Sequence, residues 1–143
     1  MTSETKYFLP SDRYYDFNSH LWIKITSDDE TALIGIDTIG LDSLGELAYV
    51  ALSQSGRTIK KGESIGSLEA AKMVSSILSP VSGEIVEVNQ DVIKNPILIN
   101  NDPYNSGWLI KIKCGNLSDE KRDLIFENQI NIRLKTYLAE QEK

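Results

Sequence analysis

From Gly62 to Val88 the chain reads Gly-Glu-Ser-Ile-Gly-Ser-Leu-Glu-Ala-Ala-Lys-Met-Val-Ser-Ser-Ile-Leu-Ser-Pro-Val-Ser-Gly-Glu-Ile-Val-Glu-Val. Glu69-Ala70-Ala71-Lys72 taken alone favours helix, because alanine and straight-chain charged residues lose little side-chain freedom there. Its surroundings do not allow one. Ser79-Pro80-Val81-Ser82-Gly83 is turn chemistry, a β-rich run (Glu84 to Val88) follows it, and Gly62 opens another extended segment on the amino-terminal side. The segment therefore predicts two β arms with a lysine at their tip. Leu68, Ile77, Leu78 and Val81 are placed to anchor those arms in a core, while Ala70 and Ala71 leave the Lys72 ammonium accessible.

The remaining runs fit the same scheme of short strands and turns. Leu21–Ile25 and Thr31–Ile36 predict an antiparallel hairpin closed by Ser27-Asp28-Asp29-Glu30. Thr38–Leu44 predicts a short helix, with Asp37 capping its start and Gly45 ending it. A strand is expected from Glu46 to Leu52, then turns from Gly56 to Gly62 and a break at Asn95-Pro96. Residues 107–113 alternate as a strand, with Trp108, Ile110 and Ile112 on one face. After Ser118, whose followers Asp119 and Glu120 suit a helix start, the tail predicts one longer helix or two short ones. Gly45-Glu46-Leu47-Ala48-Tyr49-Val50 and Gly83-Glu84-Ile85-Val86-Glu87-Val88 echo one another, a hint of two similar half-sheets joined through the lysine segment.

At 143 residues the chain is sized for one domain with one real core. No apolar run approaches the ~20 residues of a membrane span, and Met1–Lys6 lacks the basic-then-apolar layout of a signal peptide, so a cytoplasmic protein is expected. A net charge of −6 argues against nucleic acid and anionic membranes as partners. Cys114 is the only cysteine and His20 the only histidine, which excludes an intrachain disulfide and a cysteine-based metal site. Cys114 reads as a small apolar filler at a strand end. No metal site and no pair of acid–base candidates is evident, so an independent enzyme is the weakest reading.

An ordinary surface lysine is the plain alternative for Lys72, but a hairpin tip holding a lysine clear of the body is what a modifying enzyme and a tethered cofactor require. An active-site lysine would need burial or a cationic neighbour, and the sequence supplies neither.

Residues 62–113 resemble the lipoyl-carrying region of the glycine cleavage system H protein family. The matching pieces are Glu69 with Lys72, Ser79 to Glu84, Val88-Asn89, Asn95-Pro96, Asn100 to Tyr104 and Gly107 to Lys111. Looser matches upstream, His20 with Trp22, Gly35-Ile36, Leu44-Gly45-Glu46 and Gly62, extend the resemblance to about residues 14–113, with a helical segment at about 118–143. It implies a mainly β fold, a flattened sandwich or barrel-sandwich hybrid of the lipoyl/biotinyl type with short helices and a carboxy-terminal helix. It also implies a non-catalytic carrier with lipoate bound covalently to Lys72. Such a carrier takes the aminomethyl group of glycine from glycine decarboxylase to the aminomethyltransferase, and dihydrolipoyl dehydrogenase reoxidises it. By the same resemblance Glu69 helps a lipoate-attaching enzyme recognise the tip, and His20 lines a groove that receives the arm; a solvated hairpin charge and a structural histidine are the respective alternatives.

The chain departs from the family pattern at Leu21, where the family has a Glu that helps hold the charged, aminomethyl-loaded arm. It departs also at Asp37, where Thr is usual, and at Met73-Val74. A lipoyl protein carrying sulfur intermediates beside a heterodisulfide-reductase-like system is the next reading, and a non-lipoylated interaction module the third. A biotin carrier would normally show Ala-Met-Lys-Met. Trp22 and Trp108 read as core aromatics, and Asn100, Asp102 and Tyr104 as residues that organise a turn.

Overall fold

A computed structural model of the chain describes residues 7–28 and 30–141. Met1–Lys6, Asp29 and the last two residues lie outside the described residues, and with them part of the expectations for the amino terminus, the hairpin turn and the end of the tail. β1 (Tyr14–Asp16), β2 (Leu21–Ile25) and β3 (Thr31–Ile36) come first, followed by α1 (Thr38–Leu44) and β4 (Leu47–Leu52). Next are β5 (Thr58–Ile59), β6 (Ser64–Ala70), β7 (Val74–Leu78) and β8 (Gly83–Val88). Two short helices, α2 (Gln90–Lys94) and α3 (Ile97–Asn101), lead to β9 (Ile110–Cys114), and α4 (Leu117–Glu120), a 3-10 turn and α5 (Asn128–Gln141) complete the chain.

The strands form two antiparallel sheets. One has six strands in the order β1-β2-β3-β9-β8-β5, and the other has three in the order β4-β6-β7. Alternation along each strand turns one face inward, and the two inner faces share a core. Leu21, Ile23, Ala32, Ile34, Ile36, Ile85 and Ile112 come from the larger sheet, and Leu47, Val50, Ile65, Leu68 and Ile77 from the smaller. Full burial of each aliphatic side chain contributes about 1.5–3 kcal/mol, so this layer carries most of the stabilisation. The sheets do not close into a barrel.

The predicted hairpin forms, with Leu21 opposite Ile36 and Ile25 opposite Ala32. Its turn is held by the Asp28 carboxylate, which accepts from the Glu30 amide at 3.0 Å and the Thr31 amide at 3.1 Å. The helix also starts and stops where the sequence places it: Asp37 accepts from the Gly40 amide, and Gly45, at φ 82°, donates its amide to the Leu41 carbonyl.

A second core lies on the opposite face of the larger sheet. Trp22, which points away from its neighbours Leu21 and Ile23, packs with Tyr15, Phe17 and Ile39 against Ile130, Leu134 and Leu138 of α5. The four-residue spacing of those three puts them on one side of the helix. The Trp22 indole N–H donates to the Pro103 carbonyl at 3.0 Å, and the Arg13 guanidinium lies over its ring at 4.7 Å.

Two expectations are corrected. Trp108 does not share a face with Ile110 and Ile112, because β9 begins only at Ile110; Trp108 borders the second core and the two isoleucines lie in the first. Leu78 is exposed rather than anchored, since it follows buried Ile77 on β7 and faces outward. The tail divides into a short helix, a 3-10 turn and a long helix. Asn128 opens α5, and Asn131 lies on its exposed side. Cys114 does end a strand, half-buried, and burial pushes its thiol up to about 11, the opposite of what a nucleophile needs.

The echo between residues 45–50 and 83–88 has a structural counterpart. β4 and β8 belong to different sheets, yet each carries a register shift at the same step, between Leu47 and Tyr49 in one and between Ile85 and Glu87 in the other. Ala48 and Val86 are the extra residues, and both point to solvent.

Candidate functional site

β6 and β7 pair from Ser64 opposite Leu78 to Glu69 opposite Val74, with a register shift between Ser64 and Gly66, and the hairpin closes with the Ala70 amide donating to the Met73 carbonyl at 2.9 Å. Leu68, Ile77 and, beyond the second arm, Val81 are buried and fix both arms. Lys72 is exposed at the tip.

The tip does not stand clear of the body as expected. The Ala71 amide donates to the Glu46 carbonyl at 2.9 Å and the Lys72 amide to the Leu44 carbonyl at 3.0 Å. The Lys72 Nζ donates to the Asp42 carbonyl at 2.8 Å, in the last turn of α1, where the helix dipole favours a cation. The stem lies over Gly45, where a Cβ would come within 3.3 Å of Lys72 Cγ. Asn100 fixes this seat: its side-chain oxygen accepts from the Leu47 amide at 2.9 Å and its side-chain amide donates to the Gly45 carbonyl at 3.0 Å.

Asn100 and Tyr104 thus do more than organise a local turn. The Tyr104 hydroxyl donates to the Phe8 carbonyl at 2.6 Å and accepts from the Thr38 amide at 3.0 Å, tying the loop before β9 to the start of α1. Asp102 alone behaves as expected, accepting from the Ser106 amide at 3.1 Å.

Beside the tip, between the two sheets' rims and α1, runs a groove of about 300 Å³. Leu21, Leu44, Leu68, Met73 and Ile77 make much of its wall, and Ser19 and His20 stand at one side. No Asp, Glu, Lys or Arg is found among the described residues that line it. Leu21 is 3% exposed and packs into the main core, so the position that departs from the family pattern is part of the groove wall.

His20 sits at φ 56°, a left-handed conformation uncommon outside glycine, held by its amide donating to the Asp16 carbonyl at 2.7 Å and its carbonyl accepting from the Asp37 amide at 3.0 Å. Its Nδ1 is 4.0 Å from Asp37 Oδ2, too far for a hydrogen bond. These two atoms and Ser19 Oγ are buried without a hydrogen-bond partner among the described residues. Each such atom costs about 1–3 kcal/mol, so the facing His20 and Asp37 atoms mark a place where stability is given up. Burial pushes the Asp37 carboxyl up to about 7 and holds the His20 imidazole below its ordinary value. Sequence reasoning found Asp37 as a helix cap and missed its burial beside His20, a setting made by residues distant in the chain: Tyr104 bonded to Thr38 and Tyr137 of α5 against the His20 ring.

Of the residues singled out in the sequence, Lys72 and Glu69 share the hairpin, three residues apart, with Glu69 exposed on β6 between Tyr49 and Val74 in the sheet. His20 lines the groove beside Leu21, whereas Lys72 and Glu69 are not among the described residues that line it.

Known proteins resemble the chain in sequence and in fold. A family profile described as "Glycine cleavage H-protein" matches residues 13–137. "Glycine cleavage system H protein 2" of Aquifex aeolicus is 33% identical over 134 residues, covering 94% of this chain and 83% of its own. The "Glycine cleavage system H protein" of Thermus thermophilus is 40% identical over 111 residues, covering 78% of this chain and 84% of its own. Among solved structures, a "glycine cleavage system H protein (GCVH)" from Mycobacterium marinum superposes with a TM-score of 0.69 at 35% identity, covering 80% of this chain and 97% of that one. The chain therefore belongs to the glycine cleavage H-protein family, whose members are not catalysts themselves but carry lipoate bound covalently to a lysine.

Proposed function

We propose that the chain, as a single domain spanning residues 1–143, is the lipoyl carrier of a glycine cleavage system in the cytoplasm, with lipoate attached to Lys72. The observation that carries this reading is the placement of an exposed lysine on a rigid hairpin tip at the rim of an uncharged, mostly apolar groove. The residues present suit the group: an amide at Nζ keeps one N–H for the Asp42 carbonyl, and the groove wall of Leu44, Leu68, Met73 and Ile77 suits an apolar ring. When bound, lipoate supplies a disulfide that opens to a dithiol and closes again.

The chain's own work is positioning. The β6–β7 arms hold the attachment point, and Gly45 and Asn100 fix where its stem begins. A tether from that point raises the effective concentration of its cargo at successive active sites. In this reading the cargo is the aminomethyl group of glycine, taken up at glycine decarboxylase and delivered to the aminomethyltransferase. Dihydrolipoyl dehydrogenase restores the disulfide. Glu69, exposed beside the tip, is the residue read by the lipoate-attaching enzyme.

The test is intact mass and peptide mapping of protein from its native host, followed by incubation with glycine decarboxylase and glycine. One lipoyl group on Lys72 with glycine-dependent loading is the expected result, and an unmodified Lys72 would end the carrier reading. A second reading, transport of sulfur intermediates, is favoured by the buried Leu21 in a groove without charge. Lipoylation without glycine-dependent loading would select it.

A further inference from the structure

The groove beside Lys72 has one titratable lining residue, His20, among the described residues. Immediately behind it, fully buried, stands the Asp37 carboxyl. Its Oδ1 is committed to capping α1 through the Gly40 amide at 2.9 Å, which leaves Oδ2 without a hydrogen-bond partner among the described residues and facing an equally unpartnered His20 Nδ1. A helix cap needs no buried second oxygen aimed at a histidine, and a threonine or serine would cap as well.

We propose that Asp37, acting through His20, is a positioning residue that supplies the negative charge the groove wall lacks when a protonated amine is carried into it on the Lys72 arm. Asp37 then gives its proton to solvent, His20 stays neutral and donates Nδ1–H to Oδ2, and the carboxylate offsets the ammonium across the imidazole. The inference rests on the aminomethyl reading for the identity of the cargo.

The surroundings fit a group that changes charge on demand. Burial, with Asp16 acting in the same direction, holds the Asp37 carboxyl at about 7, against the pull of the Gly40 and Ile39 amides. The other polar groups facing the pair are Tyr7, Tyr15 on β1, Tyr104 in the loop before β9, and Arg133 and Tyr137 on α5. Burial pushes all four tyrosine hydroxyls up, so they stay neutral. Arg133, whose charge opposes protonation of His20, sits over Phe17 at 5.4 Å. An arriving ammonium shifts this balance by favouring the ionised carboxyl.

The experiment uses the lipoylated protein with its arm reduced and loaded chemically with formaldehyde and ammonia. A thiol sulfur and ammonia nitrogen both bond to the formaldehyde carbon, and its oxygen leaves as water. Carbon-13 NMR then titrates the Asp37 carboxyl with and without the cargo, and ammonia release is timed between about pH 6 and 8 in the wild type and in Asp37→Asn, which keeps the cap. The expected results are a fall of about one unit in the Asp37 pKa on loading, and a cargo lifetime that lengthens about fivefold more across that range in the wild type than in the variant. An unmoved titration, or equal lifetimes in the two proteins, overturns the proposal. If Asp37→Asn does not fold, Asp37→Thr repeats the comparison, and the wild-type titration stands without either. Because loading here is chemical, absence of glycine-dependent loading by the decarboxylase would instead sink the aminomethyl reading.

Discussion

The turns that open β4 and β8 begin with the same pattern, a glycine followed by glutamate and an aliphatic residue, and lead to bulges at the same step. They meet very different neighbours. At Gly83 the strand comes so close to β9 that an added Cβ would lie 2.1 Å from the Lys113 carbonyl oxygen and 2.8 Å from Ile112 Cγ2. The preceding Ser82 is clamped by the Glu120 carboxylate, which accepts from its amide at 2.7 Å and its hydroxyl at 2.6 Å. At Gly45 the space is filled by the flexible stem of Lys72 at 3.3 Å and by Ala71 at 3.4 Å. The same local device closes a sheet in one half and seats a solvent-facing lysine in the other. What differs is whether the neighbour is backbone, which cannot yield, or a flexible side chain, which can.

Four substitutions test that contrast, ordered by their effect on stability. Gly83→Ala forces a methyl into backbone and should destabilise by about 3 kcal/mol in urea unfolding; a loss below ~1 kcal/mol would mean that β8 and β9 can separate freely. Glu120→Ala leaves the Ser82 amide and hydroxyl without their acceptor and should cost about 1–2 kcal/mol by the same assay. An unchanged midpoint would show that the clamp contributes nothing. Gly45→Ala places a side chain at φ 82° and should cost about 1 kcal/mol. Its sharper effect should be on the rate at which a purified lipoate-attaching enzyme modifies Lys72, because the stem loses its seat. A normal rate would detach the seat from the modification. Lys72→Arg should change stability by less than about 0.5 kcal/mol, as expected of an exposed side chain. It should nevertheless carry no lipoate and support no glycine-dependent turnover, and any retained carrier activity would refute the assignment of Lys72.

The parts of the molecule legible in the sequence were those set by near neighbours. Asp37 and Gly45 bracket α1 through contacts three or four residues away, and Asp28 closes its hairpin through its own following amides, so residue type sufficed. The β6–β7 arms were readable because turn residues override the helical preference of Glu69–Lys72. The order β1-β2-β3-β9-β8-β5 joins strands far apart in the chain, and no local signal encodes it. Alternation misleads at Trp108, which lies two residues before β9 begins, and residue type misleads at Leu78, an aliphatic side chain on the outward-facing position next to buried Ile77. The seating of Lys72 on α1 depends on Asn100, a residue distant in sequence whose type suggested only a local turn. The candidate site was thus half visible: the lysine and its hairpin by pattern and family resemblance, the buried Asp37 beside His20 only by packing.

Trp22 offers a different kind of opportunity. It is 1% exposed on the face of the larger sheet opposite Leu21, with its indole N–H engaged by Pro103 and a guanidinium above its ring, while Trp108 is half-buried near the same core. Its emission is therefore that of an indole shielded from water, and it responds when α5 leaves the sheet rather than when the Lys72 tip changes partners. The fold carries an intrinsic fluorophore for the integrity of its back face, so damage to the scaffold and loss of function at the arm can be told apart by light before any cargo is measured.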